Sequence, residues 1–248
     1  MSRMPLKFLR NEAIEAKTSS RIRRYESLTK TTVRLPVPVD KVVEQVLGLS
    51  ISWDEIEERQ GEMTFGGLLV RTKSIVLNEK HLKLFEEKPG LERSTIGHEA
   101  GHWDLENRSE ALTASLFNDE PGNEDRIDKR KTTRSGELLD VLLDLACRNH
   151  RAYKLYKELT EGQDTPDQKS AMDRYQSALL MPEWLIREGA QKFDLSRLNR
   201  IYDFAHEAQV TVSNMVTRLK RLGLIYKVGK GNRVFLTEDE ATGRKGLF

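Results

Sequence analysis

The chain has 248 residues, of which 38% are hydrophobic and 32% charged. That is polar for a globular protein, yet it leaves apolar residues enough for a core and excludes a wholly disordered chain. Basic side chains number 41 and acidic ones 39, a net charge of +2, so the overall balance announces neither a nucleic-acid binder nor an acidic partner, and any basic surface must be local.

Cys147 is the only cysteine. No disulfide can form within the chain, which fits a reducing compartment. The opening MSRMPLKFLRNEAIEAK has no apolar stretch of the secretory kind. No run approaches the roughly 20 apolar residues of a membrane span. The expectation is a cytoplasmic protein without membrane contact.

In chain order, residues 12–30 read as a charged helix. Pro36 and Pro38 break the chain, and Asp40 is placed to cap an apolar-periodic stretch of Val42, Val43, Val46 and Leu47 that Gly48 ends. Residues 49–53 and 65–77 read as strands, the second interrupted by Gly66-Gly67 and carrying the β-rich SIVLN. Pro89-Gly90 punctuates the chain, and a helix beginning near Ser94 carries His98 and His102. Residues 118–136 are polar, of mixed charge, and read as an exposed loop. With almost nothing apolar to bury, this stretch is expected to be dispensable for folding. Helical spacing resumes over 137–159 and again over 170–181, where Pro182 stops it.

After Phe193 the pattern changes. Residues 195–208 form one predicted helix. Val212, Met215, Val216, Leu219 and Leu222 fall at helical spacing in a second, with Thr211, Ser213 and Asn214 as starters and Gly223 as the stop. Residues 225–228 and 233–236 read as strands around the turn 229–232. Helix, turn, helix, hairpin is a winged-helix pattern. The expected architecture is therefore α+β over residues 1–190, with a polar insertion at about 104–136, and a winged-helix or helix-turn-helix-like module over 191–248. Arg218, Lys220, Arg221, Lys227, Lys230 and Arg233 give the tail a basic face. Packing or binding of a protein partner is the favoured reading of that face, with DNA contact as the alternative.

The chemistry concentrates in His98-Glu99-Ala100-Gly101-His102. Residues four apart project from one side of a helix, so two imidazoles can reach one tetrahedral zinc. Glu99, turned about 100° from His98, sits beside such a metal rather than on it, where its carboxylate can take a proton from water. Zinc requires a third protein ligand. His81, His150 and His206 have no such pattern around them and read as structural.

The segments STIGHEAGHW, MDRYQSALLMP and VTVSNMVTRLKRLGLI, together with LPVPVDKVVEQVLGLSI and SIVLNE, resemble the ImmA/IrrE metallopeptidase family over roughly residues 12–226. The resemblance is poor over 104–166, which looks longer than usual. It implies a mostly helical zincin-like domain with a small sheet and a zinc-dependent endopeptidase of the cytosol. Its substrate would be a helix-turn-helix repressor, whose cleavage switches on stress or mobile-element genes. Carried over by position, His98 and His102 match zinc ligands and Glu99 the general base. The family's third ligand, a glutamate thirteen positions before the proline of L-L-M-P, falls on Lys169, a poor zinc ligand. Asp173, one turn later on the same face, matches the family's supporting acid or amide. We expect Asp173 to complete the site as the third ligand, with Asp167, Gln168 and the weaker Glu106 as the other candidates. The rival expectation is a catalytically silent regulator of the same fold that binds a partner or DNA through its tail.

Overall fold

The computed structural model describes residues 9–58, 63–105, 131–132 and 171–243. The expected polar loop at 118–136 lies outside these residues apart from 131 and 132, and the helix at 137–159 lies wholly outside them. The described residues fall into two compact units, residues 9–132 with 171–182, and residues 183–243.

In the first unit α1 (Asn11–Thr29) comes before α2 (Val39–Val42), which runs on as a π-helical turn over Val43–Leu47. Gly48 ends that turn at φ 68, the left-handed conformation that suits glycine. Helix α2 begins one residue before the expected cap, so Asp40 lies in its first turn, where a carboxylate complements the helix dipole. Strands β1 (Ser50–Asp54), β2 (Met63–Thr64), β3 (Gly66–Leu69) and β4 (Ser74–Asn78) follow. Strand β4 is the centre of a three-stranded mixed sheet of order β1-β4-β3, parallel to β1 from Ser50↔Ser74 to Asp54↔Asn78 and antiparallel to β3. It is buried at all five positions, which is why SIVLN shows no polar alternation.

The single strand expected over 65–77 is thus two strands, joined by a turn at residues 70–73 in which Lys73 takes φ 52. Glycine commonly marks such a turn, and none stands there. Gly66 and Gly67 lie within β3, where the need is space: a Cβ on Gly66 would lie 2.7 Å from Thr95 Cγ2 on the helix packed above. Phe85 of α3 (Leu82–Glu87) meets Trp53 and Phe65 edge-on at 5.5 and 5.8 Å, closing an aromatic core.

Helix α4 (Pro89–Leu105) begins at Pro89 rather than near Ser94. Proline is well suited to the first helical position, where its missing N–H costs nothing. Strand β5 (Lys131–Thr132) pairs antiparallel with β2, and α5 (Ala171–Leu180) packs on both α1 and α4.

Asn78, fully buried, accepts from Ile56 N–H and donates to Thr64 C=O, and Glu58 accepts from Thr64 N–H and lies 2.6 Å from His81 Nε2. Burial pushes the Glu58 carboxyl up, but the bonds to Thr64 and His81 outweigh it and hold the carboxyl below its ordinary range. A depressed folded-state value stabilises the protein above the unfolded carboxylate value of about 4.3 and is lost as pH falls through the folded one. Thermal unfolding followed from neutral to acid pH should show a shallower acid loss in Glu58→Gln than in the parent. Equal acid slopes would remove Glu58 from the acid response.

The second unit holds α6 (Glu183–Ala190), α7 (Leu198–Glu207), α8 (Val212–Arg221), a hairpin of β6 (Lys227–Val228) and β7 (Val234–Phe235), and α9 (Glu238–Thr242), a helix beyond those the sequence pattern predicts. The hairpin is a sheet of its own, separate from the β1-β4-β3 sheet. Thr211 caps α8 by accepting from Asn214 N–H, and Gly223 at φ 67 follows its end. Met215, Val216 and Leu219 are buried, as are Ile201, Phe204 and Ala205 of α7. Arg218 is also fully buried, so it does not belong to the basic face predicted for the tail.

A Cβ on Gly189 would lie 2.6 Å from Phe204, whose fully buried ring is stacked on Phe193 at 4.8 Å. Alanine gains roughly 1 kcal/mol of helix propensity, but overpacking costs about 1–3 kcal/mol. Gly189→Ala should therefore be net destabilising in denaturant unfolding, and a stabilised variant would contradict this packing.

Candidate metal centre

Helix α4 carries the H-E-A-G-H turn on an otherwise dry surface. Among residues 94–104 only His98 and His102 are not buried. Their rings stand 5.1 Å apart between centroids at 63°, as one helical turn requires. Glu99 is fully buried, turned about 100° from His98 and about 60° from His102 around the axis, by helical spacing.

Helix α5 closes on α4 along a glycine seam. A Cβ on Gly97 would lie 3.1 Å from Gln176 Cγ, and one on Gly101 would lie 3.3 Å from Tyr175 Cδ1 and 3.4 Å from Met172 Cα. With only hydrogen at these positions, the helices approach closely enough for Asp173 Oδ1 to reach His98 Nδ1 at 3.1 Å. An ionised carboxylate offers acceptors only, so Nδ1–H donates and the tautomer of His98 is set by this contact. A metal bond to that ring then falls to Nε2. His98 is 12% and Asp173 37% exposed at the side chain, so the pair lies at the rim of the buried seam.

No protein-family model matches the chain, and no curated protein matches it.

The structure thus brings His98, His102 and Asp173 together on two packed helices, with Glu99 in the same turn. Two imidazoles one turn apart, one backed by a carboxylate, are the donor set that zinc takes from a single helix. Among the described residues, no group of three or more His, Cys, Asp or Glu could hold a metal ion. Among the described residues, the donors present therefore match two of zinc's three protein ligands. Lys169, Asp167, Gln168 and Glu106 lie outside the described residues, as does His150. His81 pairs with Glu58 and meets Phe65 edge-on at 5.1 Å.

Sequence reasoning missed what lies behind the seam. Asp104, on the last turn of α4, is 6% exposed and accepts from Tyr175 OH at 2.8 Å and from Arg21 Nε and Nη2 at 3.0 and 2.7 Å. Lys17 Nζ adds an ion pair at 3.4 Å. Burial, then the neighbouring Asp104, pushes the Tyr175 hydroxyl well above its ordinary value, so it remains a donor. No local spacing signals a contact between residues 83 apart.

Proposed function

We propose that the chain is a zinc-dependent endopeptidase with a zincin-like first unit. The observation that carries this reading is one turn of helix bearing His98, Glu99 and His102, with the Asp173 carboxylate 3.1 Å from His98 Nδ1. Zinc bound there would supply a Lewis acid that makes water nucleophilic near neutral pH and polarises a peptide carbonyl. In this reading Glu99 takes the proton of the attacking water on its carboxylate and delivers it to the departing amine nitrogen, which balances the hydrolysis. Asp173 holds His98 in the Nδ1–H tautomer. The hydrogen bond favours this orienting task for Asp173 over the ligand role expected from the sequence.

The substrate class, a helix-turn-helix repressor, rests on the family resemblance. The second unit, read as a winged-helix-like module, would then dock a protein partner. Its burial of Arg218 takes a cation from the surface that phosphate contact would need, and Arg233 lies 4.5 Å over the Phe235 ring. One second reading, a catalytically silent regulator of the same fold, rests on Lys169, which stands where the resemblance puts the third ligand.

Incubating the zinc-loaded protein with a set of helix-turn-helix repressors, followed by mass spectrometry, separates the two. Chelator-sensitive cleavage at a defined bond supports the peptidase. Stable complexes without cleavage support the regulator.

A further inference from the structure

We propose that Tyr175, tied to Asp104 and Arg21, is a positioning residue for the centre: it sets the roll of α5 and so holds Asp173 against His98. The inference rests on reading His98 as a metal ligand.

Helical geometry places the parts. On α5, Met172 and Gln176 lie about 40° apart and face the glycine seam, while Asp173 and Tyr175 flank it, about 160° from one another. On α4, His98 and Asp104 lie about 120° apart. Asp173 thus meets His98 on one flank, at 3.1 Å, and Tyr175 meets Asp104 on the other, at 2.8 Å. Gly97 and Gly101 form the fulcrum between them.

The two flanks differ in firmness. The front contact is made by a side chain 37% exposed. At the back, Tyr175 is fully buried and its partner Asp104 is gripped by Nε and Nη2 of Arg21 and paired with Lys17. Charge-assisted, bidentate contacts of this kind are stronger than one hydrogen bond at a surface. A helix clamped on its back flank over a fulcrum cannot roll, so the front carboxylate stays in place. Release of the back flank lets Asp173 swing away from His98 although neither residue has changed.

The test uses the full-length protein in two arms. In metal-free protein at one fixed pH, ring ¹⁵N shifts report which nitrogen of His98 carries the proton. The parent should show the Nδ1–H form. Asp173→Ala should lose that bias, and Tyr175→Phe and Gly101→Ala should lose part of it with far-ultraviolet dichroism unchanged. In the second arm, zinc affinity should fall roughly 10-fold in Tyr175→Phe, and the same substitution should add no further loss in the Asp173→Ala background, since a residue acting through Asp173 cannot be additive with it. A His98 tautomer untouched by both Tyr175→Phe and Gly101→Ala would overturn the proposal. So would additive losses of affinity. If the parent binds no zinc, the peptidase reading fails by itself, and the ¹⁵N shifts still decide what Tyr175 does.

Discussion

Glu99→Gln is expected to leave the chain folded and zinc bound while lowering peptide hydrolysis by roughly 10²–10⁴-fold. The amide has the shape of the carboxylate, and Glu99 is fully buried, so a smaller residue would confound chemistry with packing. What glutamine loses is the ability to accept a proton from water and hand it on. Both duties fall on one side chain in this account, so the rate of the chemical step should collapse while substrate affinity changes little. Metal content serves as the control, since Glu99 is turned away from the shared face of His98 and His102. Cleavage at near-parental rate would remove Glu99 from the mechanism.

The second large effect separates a ligand from its support. His102→Ala should abolish zinc retention, because one remaining imidazole on α4 cannot hold a structural or catalytic zinc. Asp173→Ala should weaken zinc by only roughly 10–100-fold, the usual effect of removing a group that orients a ligand. The geometry behind this difference is the 3.1 Å contact between Asp173 Oδ1 and His98 Nδ1. Equilibrium zinc binding by both variants decides the matter. If Asp173→Ala loses zinc as completely as His102→Ala, Asp173 is itself a ligand, the role expected of it because Lys169 stands at the third-ligand position.

How much of this was legible beforehand follows from the range of each interaction. The H-E-A-G-H turn was readable because its geometry is local, with i and i+4 on one face. The helix pair and hairpin of the second unit were readable for the same reason, from apolar spacing, the Thr211 cap and Gly223. The turn after β3 was not, because Lys73 adopts a left-handed conformation with no glycine to announce it. The start of α4 is ambiguous in the sequence because Pro89 signals a break and a first helical residue equally well. Arg218 looked like a surface cation, since sequence shows charge but not the packing that buries it. The Asp104–Tyr175–Arg21 cluster joins three helices across 71 and 83 residues, and only folding brings those groups together. Asp173 was found from its place in a motif, yet its contact with His98 depends on how closely two glycines let the helices approach.

The zinc centre is proposed to rest on His98 and His102 of α4. Metal analysis of the purified full-length protein beside His98→Ala addresses it most directly. About one zinc per chain is expected in the parent, as a single tetrahedral centre requires, and almost none in His98→Ala. A parent free of zinc after purification and zinc loading, or a His98→Ala variant that keeps as much zinc as the parent, would contradict it.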